Sequence, residues 1–445
     1  MNRSLPFLFA LTAAAAAPAG DWPEFRGPDA QGHAPADETG LPVEWSETKN
    51  VAWAVDTPPG WSSPVVVGDR VYLTAAAEPE DGAATLSALC LSTEDGSVVW
   101  ETELFRKSTE ERMHSKNSRA SPTPIFARLA DGSAEDGALF VHFGPNATAR
   151  LKADDGAVVW KRDDIDYPPV HGGGPSPALV QNVEGGPILF LPCDGGEDPF
   201  VIALDALTGE TKWRKDRPNV GATKTFSFAT PLVVQVPSDG GDSDGPADQQ
   251  ILSPATNMIV AYDPADGEEL WAVPYEGFSV TPRPVVGHGK VYLSTGFMRP
   301  TVLAIDLAEA LAAGPPDDDG PVDAAEDAVA WDVSRGGPNT PSPLLIGDLL
   351  YFVSDKGVAS CVDAQTGEVV WTERLGGNFS ASPIYADGRI YWLDEDGRCT
   401  VSAPGEEYRE LAVNELPGRT LASPAVSGGA IYLRTDETLF KLAKP

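Results

Sequence analysis

The chain has 445 residues, 42% of them hydrophobic, and its 44 glycines and 41 prolines make the composition rich in turns. Its 66 acidic and 32 basic residues give a formal net charge of -34 at pH 7. This charge argues against a nucleic-acid-binding protein, and the composition favours one large globular domain built from many short strands.

Residues 1–19 have the composition of a secretory signal. A basic start at Arg3 is followed by an apolar run from Leu5 to Ala17 and by an Ala-x-Ala cleavage motif that ends at Ala19. The run is too short to span a membrane, and no Cys stands near the cleavage motif to accept a lipid anchor. We therefore expect an exported protein, periplasmic or extracellular, without a membrane span. Residues 20–48 would form an N-terminal extension that caps one face of the domain.

A short repeat organises residues 49–445. Its best copy runs from Ala203 to Trp213, with Asp205 before a tight turn and Gly209 inside it. The Asp carboxylate can cap the turn, the Gly can adopt a positive φ, and the Trp ring can pack against the neighbouring unit. Further copies end at Trp100, Trp160, Trp271 and Trp371. Repetition at a period of roughly 40 to 50 residues is typical of a propeller or a solenoid.

A second marker follows each Trp strand and fixes the number of units. It is a residue, usually small, followed by Pro at the start of an apolar run. The eight marker residues are Ser63, Ser121, Ser176, Thr230, Arg283, Ser342, Ser382 and Ser423. The sequence predicts an all-β, eight-bladed β-propeller of four-stranded antiparallel blades, with strand A innermost and strand D outermost. The last unit lacks its fourth strand, so we predict that an N-terminal strand at Asn50–Val55 completes the last blade.

The Ala-x-Asp-x-x-Thr-Gly-x-x-x-Trp repeat resembles that of the pyrroloquinoline-quinone-type (PQQ-like) propellers. This group includes the quinoprotein dehydrogenases and the BamB outer-membrane assembly lipoproteins, and the resemblance covers roughly residues 45–445. It implies the propeller fold and leaves function open, since one fold hosts many sites. The resemblance allows PQQ with Ca²⁺ as a cofactor, but a quinoprotein dehydrogenase would be expected to carry an adjacent Cys-Cys pair, which this sequence lacks. The missing lipid-acceptor Cys is a departure from the BamB lipoproteins.

The four cysteines fit buried core positions better than a disulfide framework. Alignment on the turn glycine places Cys90, Cys361 and Cys399 in the slot that Ala203 occupies, and Cys193 has no evident partner. Cys361 and Cys399 would lie one blade apart, beyond the roughly 7 Å Cα separation that a disulfide tolerates. The sequence alone leaves their oxidation state open. Motifs for a metal site, a nucleophilic triad or a phosphate loop are also missing.

Charge is distributed unevenly over the predicted loops. The segments that join strand D to the next strand A carry slightly more basic than acidic residues, whereas the rest of the chain is strongly acidic. Acidic insertions at residues 238–248 and 317–327 are predicted on the opposite face. In a propeller the D-to-A segments surround the mouth of the central channel, so their polar and aromatic side chains are the candidate ligand-binding residues. These are His114, Lys116, Asn117, Arg119, His171, Lys224, Phe226, Arg283, Asn339, Asn378 and Arg419.

These observations favour an exported, non-enzymatic binding or scaffolding propeller. A relatively basic rim suits a small anionic ligand, or a protein, peptide or glycan that carries carboxylates. We assign no catalytic residue and no metal ligand. Two alternatives stay open, a PQQ-dependent oxidoreductase and a BamB-like scaffold for outer-membrane protein assembly.

Overall fold

In the computed structural model, eight four-stranded antiparallel sheets form the blades of a β-propeller. The structure describes residues 20–78, 82–109, 113–129, 137–217, 224–236, 248–316 and 323–445. The predicted signal at residues 1–19 and most of both acidic insertions lie outside these ranges. Among the described residues, no helix is long and apolar enough to cross a membrane.

Strand β1 (Val51–Asp56) precedes the blades, and blades 1 to 4 follow in chain order. Their strands are β2–β5 (Val65–Val67, Arg70–Ala77, Ala83–Ser92, Val98–Ser108), β6–β9 (Ile125–Ala127, Ala138–His142, Thr148–Lys152, Val158–Arg162), β10–β13 (Ala178–Val180, Ile188–Cys193, Phe200–Asp205, Thr211–Asp216) and β14–β17 (Leu232–Val236, Asp248–Ala255, Met258–Tyr262, Glu269–Pro274).

Blades 5 to 8 continue the same order, and blade 5 carries helical turns between its third and fourth strands. The strands are β18–β21 (Val285–Gly287, Lys290–Ser294, Val302–Asp306, Val329–Val333), β22–β25 (Leu344–Ile346, Leu349–Val353, Val358–Asp363, Val369–Arg374), β26–β29 (Ile384–Ala386, Arg389–Leu393, Arg398–Ala403, Arg409–Glu415) and β30–β32 (Ala425–Ser427, Ala430–Arg434, Thr438–Leu442). The helical turns are α1 (Leu307–Ala313) and a 3₁₀ helix at Asp323–Ala328.

The ring closes as predicted. Strand β1 pairs antiparallel with β32, and Ala54 lies opposite Phe440, so the N-terminal strand supplies the outer strand of blade 8. This pairing covers the edge that a three-stranded blade would expose.

The Trp in the fourth strand of one blade packs on the turn between the third and fourth strands of the next blade. We call this contact the Trp clasp. The indole Nε1 of Trp213 donates a 3.0 Å hydrogen bond to the Pro264 carbonyl, and the ring lies where a Cβ on Gly267 would come within 2.6 Å of it. Gly267 also has φ +75, so both its conformation and its close approach to the ring exclude a larger residue. Five more Trp residues donate in the same way to the next blade: Trp53, Trp100, Trp160, Trp331 and Trp371.

Two details of the predicted alignment were wrong. Blade 2 begins after Thr123 and Pro124, not after Ser121, because strand β6 starts at Ile125. Cys399 lies opposite Asn414, and Val401 occupies the slot that Cys90 and Cys361 fill in their blades. All four cysteines are buried, and none of them forms a disulfide.

Residues 20–48, here called the plug, lie across the channel. The backbone of Trp22 pairs with Val66 in blade 1, Gly32 and Ala34 bond to Tyr385 in blade 7, and Glu38 accepts the amides of Gly428 and Gly429 in blade 8. Its apolar side chains join the core of the first and last blades, where Trp22 and Leu41 are fully buried. The plug therefore closes the channel where the A-to-B turns lie, opposite the D-to-A loops.

Candidate functional site

A cavity of about 650 Å³ opens at the channel mouth on the D-to-A side. Strands alternate in direction, so the B-to-C turns of each blade lie on this face together with the D-to-A loops. Phe25 of the plug forms part of the floor, and loops from most blades supply the wall.

Hydroxyl side chains form the rest of the floor. At the residue before the Pro that opens each strand A, seven blades carry Ser or Thr, and each hydroxyl accepts a hydrogen bond of 2.9 to 3.1 Å from the backbone amide of the equivalent residue in the preceding blade. We call these seven residues the crown: Ser63, Thr123, Ser176, Thr230, Ser342, Ser382 and Ser423. All except Ser342 line the cavity.

Arg283 occupies the eighth crown position and turns towards the plug. Its guanidinium Nη1 donates to Glu24 Oε2 at 2.9 Å and to the Phe25 carbonyl at 2.7 Å, and the side chain is only 1% exposed. Arg26 lies nearby and donates to the Pro343 carbonyl at 2.6 Å. Burial lowers the pKa of Arg26 to about 9. Arg283 thus anchors the plug and does not line the cavity, so its predicted role as a rim residue was wrong.

One wall of the cavity is aromatic. Neighbouring ring centroids lie 5.6 to 5.9 Å apart along a row that crosses the loops of blades 1 to 5: His114, His171, Phe226, Phe278 and Phe297. Backbone hydrogen bonds from Ser279 to Phe226 and from Phe297 to Phe278 fix the loops against one another. The row is therefore held in place before any ligand arrives.

The facing wall is polar and comes largely from B-to-C turns. Asp355 accepts hydrogen bonds from the backbone amides of Asn339 and Thr340 and from both of their side chains. Lys356 donates to the Asn378 amide oxygen at 3.3 Å.

Lys116 reaches across the mouth from the loop between blades 1 and 2. Its Nζ lies 2.6 Å from Glu395 Oε1 and 3.8 Å from Asp355 Oδ1, on the far wall. Ser380 donates to the same Glu395 oxygen at 2.6 Å. Burial raises the pKa of Glu395, but hydrogen bonds from Lys116 and Ser380 outweigh that effect and leave the pKa below its ordinary value. The resulting ion pair ties one loop to the opposite side of the cavity.

Seven of the eleven predicted residues line the cavity: His114, Lys116, Asn117, His171, Lys224, Phe226 and Asn339. The other four lie beside or beneath it. Arg119 is buried and paired with Glu78 at 3.0 Å, and Arg283 holds the plug. Asn378 supports Lys356, and Arg419 lies over the Trp61 ring, 5.7 Å from its centroid.

The sequence also predicted that the excess of acidic over basic residues lies away from the face with the D-to-A loops, and this was wrong. The D-to-A loops alone are slightly basic, but the B-to-C turns add carboxylates, among them Glu78, Asp194, Asp355, Glu395 and Asp436. Strand order alone could have identified these turns, because B-to-C and D-to-A connections of a four-stranded blade share a face.

Comparisons with known proteins agree with this architecture. A family profile described as "Outer membrane protein assembly factor BamB" matches residues 34–163, 132–312 and 320–434. A comparison with curated protein sequences finds no match.

Solved structures share the fold at low sequence identity. BamB from Moraxella catarrhalis superposes with a TM-score of 0.51 at 14% identity, covering 87% of this chain and 99% of that one. The computationally designed protein Ika8 gives 0.55 at 10% identity, covering 88% of this chain and 99% of that one. Quinohemoprotein alcohol dehydrogenase from Comamonas testosteroni gives 0.48 at 15% identity, covering 97% of this chain and 82% of that one. On the family profile, which spans nearly the whole propeller, the chain belongs to the BamB family of PQQ-like repeat propellers.

Proposed function

We propose that this chain is an exported, non-enzymatic binding propeller whose channel-mouth cavity takes an anionic ligand. The observation that carries the proposal is the charge balance of the cavity wall. Lys116 is neutralised by Glu395, but Lys224 and Lys356 line the cavity from different blades with no carboxylate partner among the described residues. A ligand with carboxylate or sulfate groups would supply the missing negative charge.

The aromatic row indicates what the rest of the ligand is like. Lys224 Nζ lies 4.2 Å from the centroid of Phe278, so a cation and an apolar ring are presented together. A ligand that joins an acidic group to an apolar face, such as an acidic sugar or the carboxylate end of a peptide, would contact both.

The donor set does not fit PQQ with Ca²⁺. Within the described ranges, no group of three His, Cys, Asp or Glu side chains is placed to hold a metal ion. The four cysteines are separate and buried within the blades, and Asp355 and Glu395 are already engaged by Thr340, Ser380 and Lys116. We therefore favour binding over quinone-dependent oxidation.

Thermal-shift and calorimetric titration test the proposal. The probes are citrate, sulfate and D-glucuronate, with D-glucose as the neutral counterpart of glucuronate, and PQQ with Ca²⁺. At least one anionic probe should raise the melting temperature in a saturable way, and glucose should not. Affinity should fall with added salt, because exposed charges are screened.

A charge-matched pair of variants identifies the site. Lys224→Gln/Lys356→Gln should weaken anion binding at least tenfold. Lys161→Gln/Lys212→Gln, which removes the same charge from outer strands β9 and β13, should leave it unchanged. Equal loss in both pairs, or no anion binding by the wild type, would contradict the proposal. A shift with PQQ and Ca²⁺ alone would restore the oxidoreductase alternative.

An exposed apolar patch favours a second candidate function, a scaffold that docks a partner protein, as the family description suggests. Phe297 and Met298 in a B-to-C turn are 53% and 72% exposed, and Met298 adopts φ +82, in the left-handed region. Two large apolar side chains exposed next to each other, at the end of the aromatic row, are a candidate contact for a partner protein. Co-purification of an outer-membrane assembly partner by the wild type, lost in Phe297→Ser/Met298→Ser, would support this function.

A further inference from the structure

The crown has unused hydrogen-bond donors. A Ser or Thr hydroxyl carries one donor proton and two acceptor lone pairs. In every crown residue the hydroxyl oxygen accepts a hydrogen bond from a backbone N–H of the preceding blade. The hydroxyl proton is therefore not used in that hydrogen bond. Among the described residues, none of the seven hydroxyl protons has a protein acceptor in the structure.

These donors are buried in the protein and face the cavity. Each crown residue is at most 5% exposed, and six of the seven line the cavity floor. The hydrogen bonds from the backbone amides fix the position of each hydroxyl oxygen, so the donors are in place before a ligand binds. An oxyanion that reaches the floor can accept hydrogen bonds from donors whose oxygens are already fixed in position.

We infer that the six crown residues that line the cavity form an oxyanion-binding floor, which receives the acidic group of the ligand. The inference rests on the proposed function and adds the orientation of the ligand. The negatively charged oxygens would point down to the hydroxyl protons of Ser176, Ser382 and their neighbours, and the apolar part would lie against Phe226 and Phe278. Carboxylate, sulfate and phosphate oxygens all accept hydrogen bonds and carry negative charge. Hydroxyl donors arranged around the channel can bind several oxygens of one such group.

The plug makes this floor a closed end. Phe25 lies among the cavity-lining residues, and Arg283, at the eighth crown position, donates a hydrogen bond to the Phe25 carbonyl. An anion at the crown is therefore bound and not passed through the channel.

The test separates a ligand contact from a structural role. Ser382→Ala and Ser342→Ala each remove one hydroxyl and one amide acceptor from neighbouring blades, but Ser342 does not line the cavity. We expect both to lower the melting temperature by similar amounts. Only Ser382→Ala should weaken binding of citrate and sulfate, by about tenfold for the loss of one hydrogen bond to a charged group.

A conservative variant guards against misfolding. Ser382→Thr keeps the hydroxyl, and Thr already occupies crown positions 123 and 230, so it should bind both probes like the wild type. Comparing citrate, sulfate and inorganic phosphate shows which oxyanion is preferred.

The outcomes are distinguishable. If Ser382→Ala binds citrate as tightly as the wild type while Lys224→Gln/Lys356→Gln does not, the crown is structural and only this inference fails. If Ser342→Ala weakens binding as much as Ser382→Ala, the effect comes through blade stability and the inference is again overturned. If the wild type binds no oxyanion, both the inference and the proposed function are wrong.

Discussion

Ion pairs between single residues decide the electrostatics of the cavity. They neutralise part of the basic rim that the composition of the D-to-A loops predicted. Lysines and arginines in the D-to-A loops suggested a basic rim, yet Lys116, Arg119 and Arg283 each meet a carboxylate from another part of the chain. Sequence spacing cannot show such pairs, because Glu395 and Lys116 are brought together only when the ring closes.

The Lys116–Glu395 pair predicts a pH dependence. The folded pKa of Glu395 is lowered from its ordinary value of 4.5, so the pair stabilises the fold above that pH and is lost as pH falls through the folded pKa. The melting temperature of the wild type should exceed that of Glu395→Gln near pH 6, and the gap should narrow towards pH 3. A gap that stays constant or widens on acidification would disprove the assignment.

At the scale of elements, the Trp clasp is the contact that the repeat encodes. Trp213→Ala should lower the free energy of unfolding by about 3 to 5 kcal/mol, because it leaves a cavity between blades 3 and 4. Trp213→Phe keeps most of the ring packing and loses the Nε1 hydrogen bond, at a cost nearer 1 kcal/mol. Urea unfolding followed by circular dichroism measures both, and equal midpoints would contradict a packing role for the ring.

Arg283→Thr tests how the plug is held. The variant could supply the missing crown hydroxyl, but it frees Glu24 and the Phe25 carbonyl. Hydrogen exchange in residues 20–34 should accelerate while exchange in the blades changes little. Arg299→Thr, at an exposed arginine on the same face, is the control and should exchange like the wild type. Unchanged exchange in Arg283→Thr would mean that other contacts hold the plug.

The elements were predictable to different degrees. Blade number and the closing strand β1 followed from the repeat, since every unit has a Pro at the start of its first strand and most units carry the turn and the Trp. The plug path could not be predicted, because its contacts with Val66, Tyr385 and Gly428 join segments that are far apart in sequence and follow no period. The helical turns in blade 5 were missed for a similar reason, since they replace a turn that the repeat would have supplied.

At the scale of the whole molecule, closure of the ring pairs strand β1 with strand β32. Deleting residues 20–56 removes the plug and strand β1, leaving β32 as an unpaired edge. We expect this variant to associate or aggregate in size-exclusion chromatography and to melt well below the wild type. A monodisperse variant with the wild-type melting temperature would contradict the role of β1 in closure.

The fold as a whole is specified by local repetition, whereas the cavity is specified by the assembly of unlike loops. Seven of the eleven candidate residues line the cavity because D-to-A loops must surround the mouth. The facing wall, with Asp355, Lys356 and Glu395, comes from short turns that carry no distinctive sequence.

A crystal structure of the protein soaked with citrate would test the central claim most directly. We predict citrate in the cavity between Lys224 and Lys356, with carboxylate oxygens within hydrogen-bond distance of crown hydroxyls. A well-diffracting crystal with an accessible cavity and no citrate there at saturating concentration, or with citrate only at lattice contacts, would contradict the anionic-ligand account.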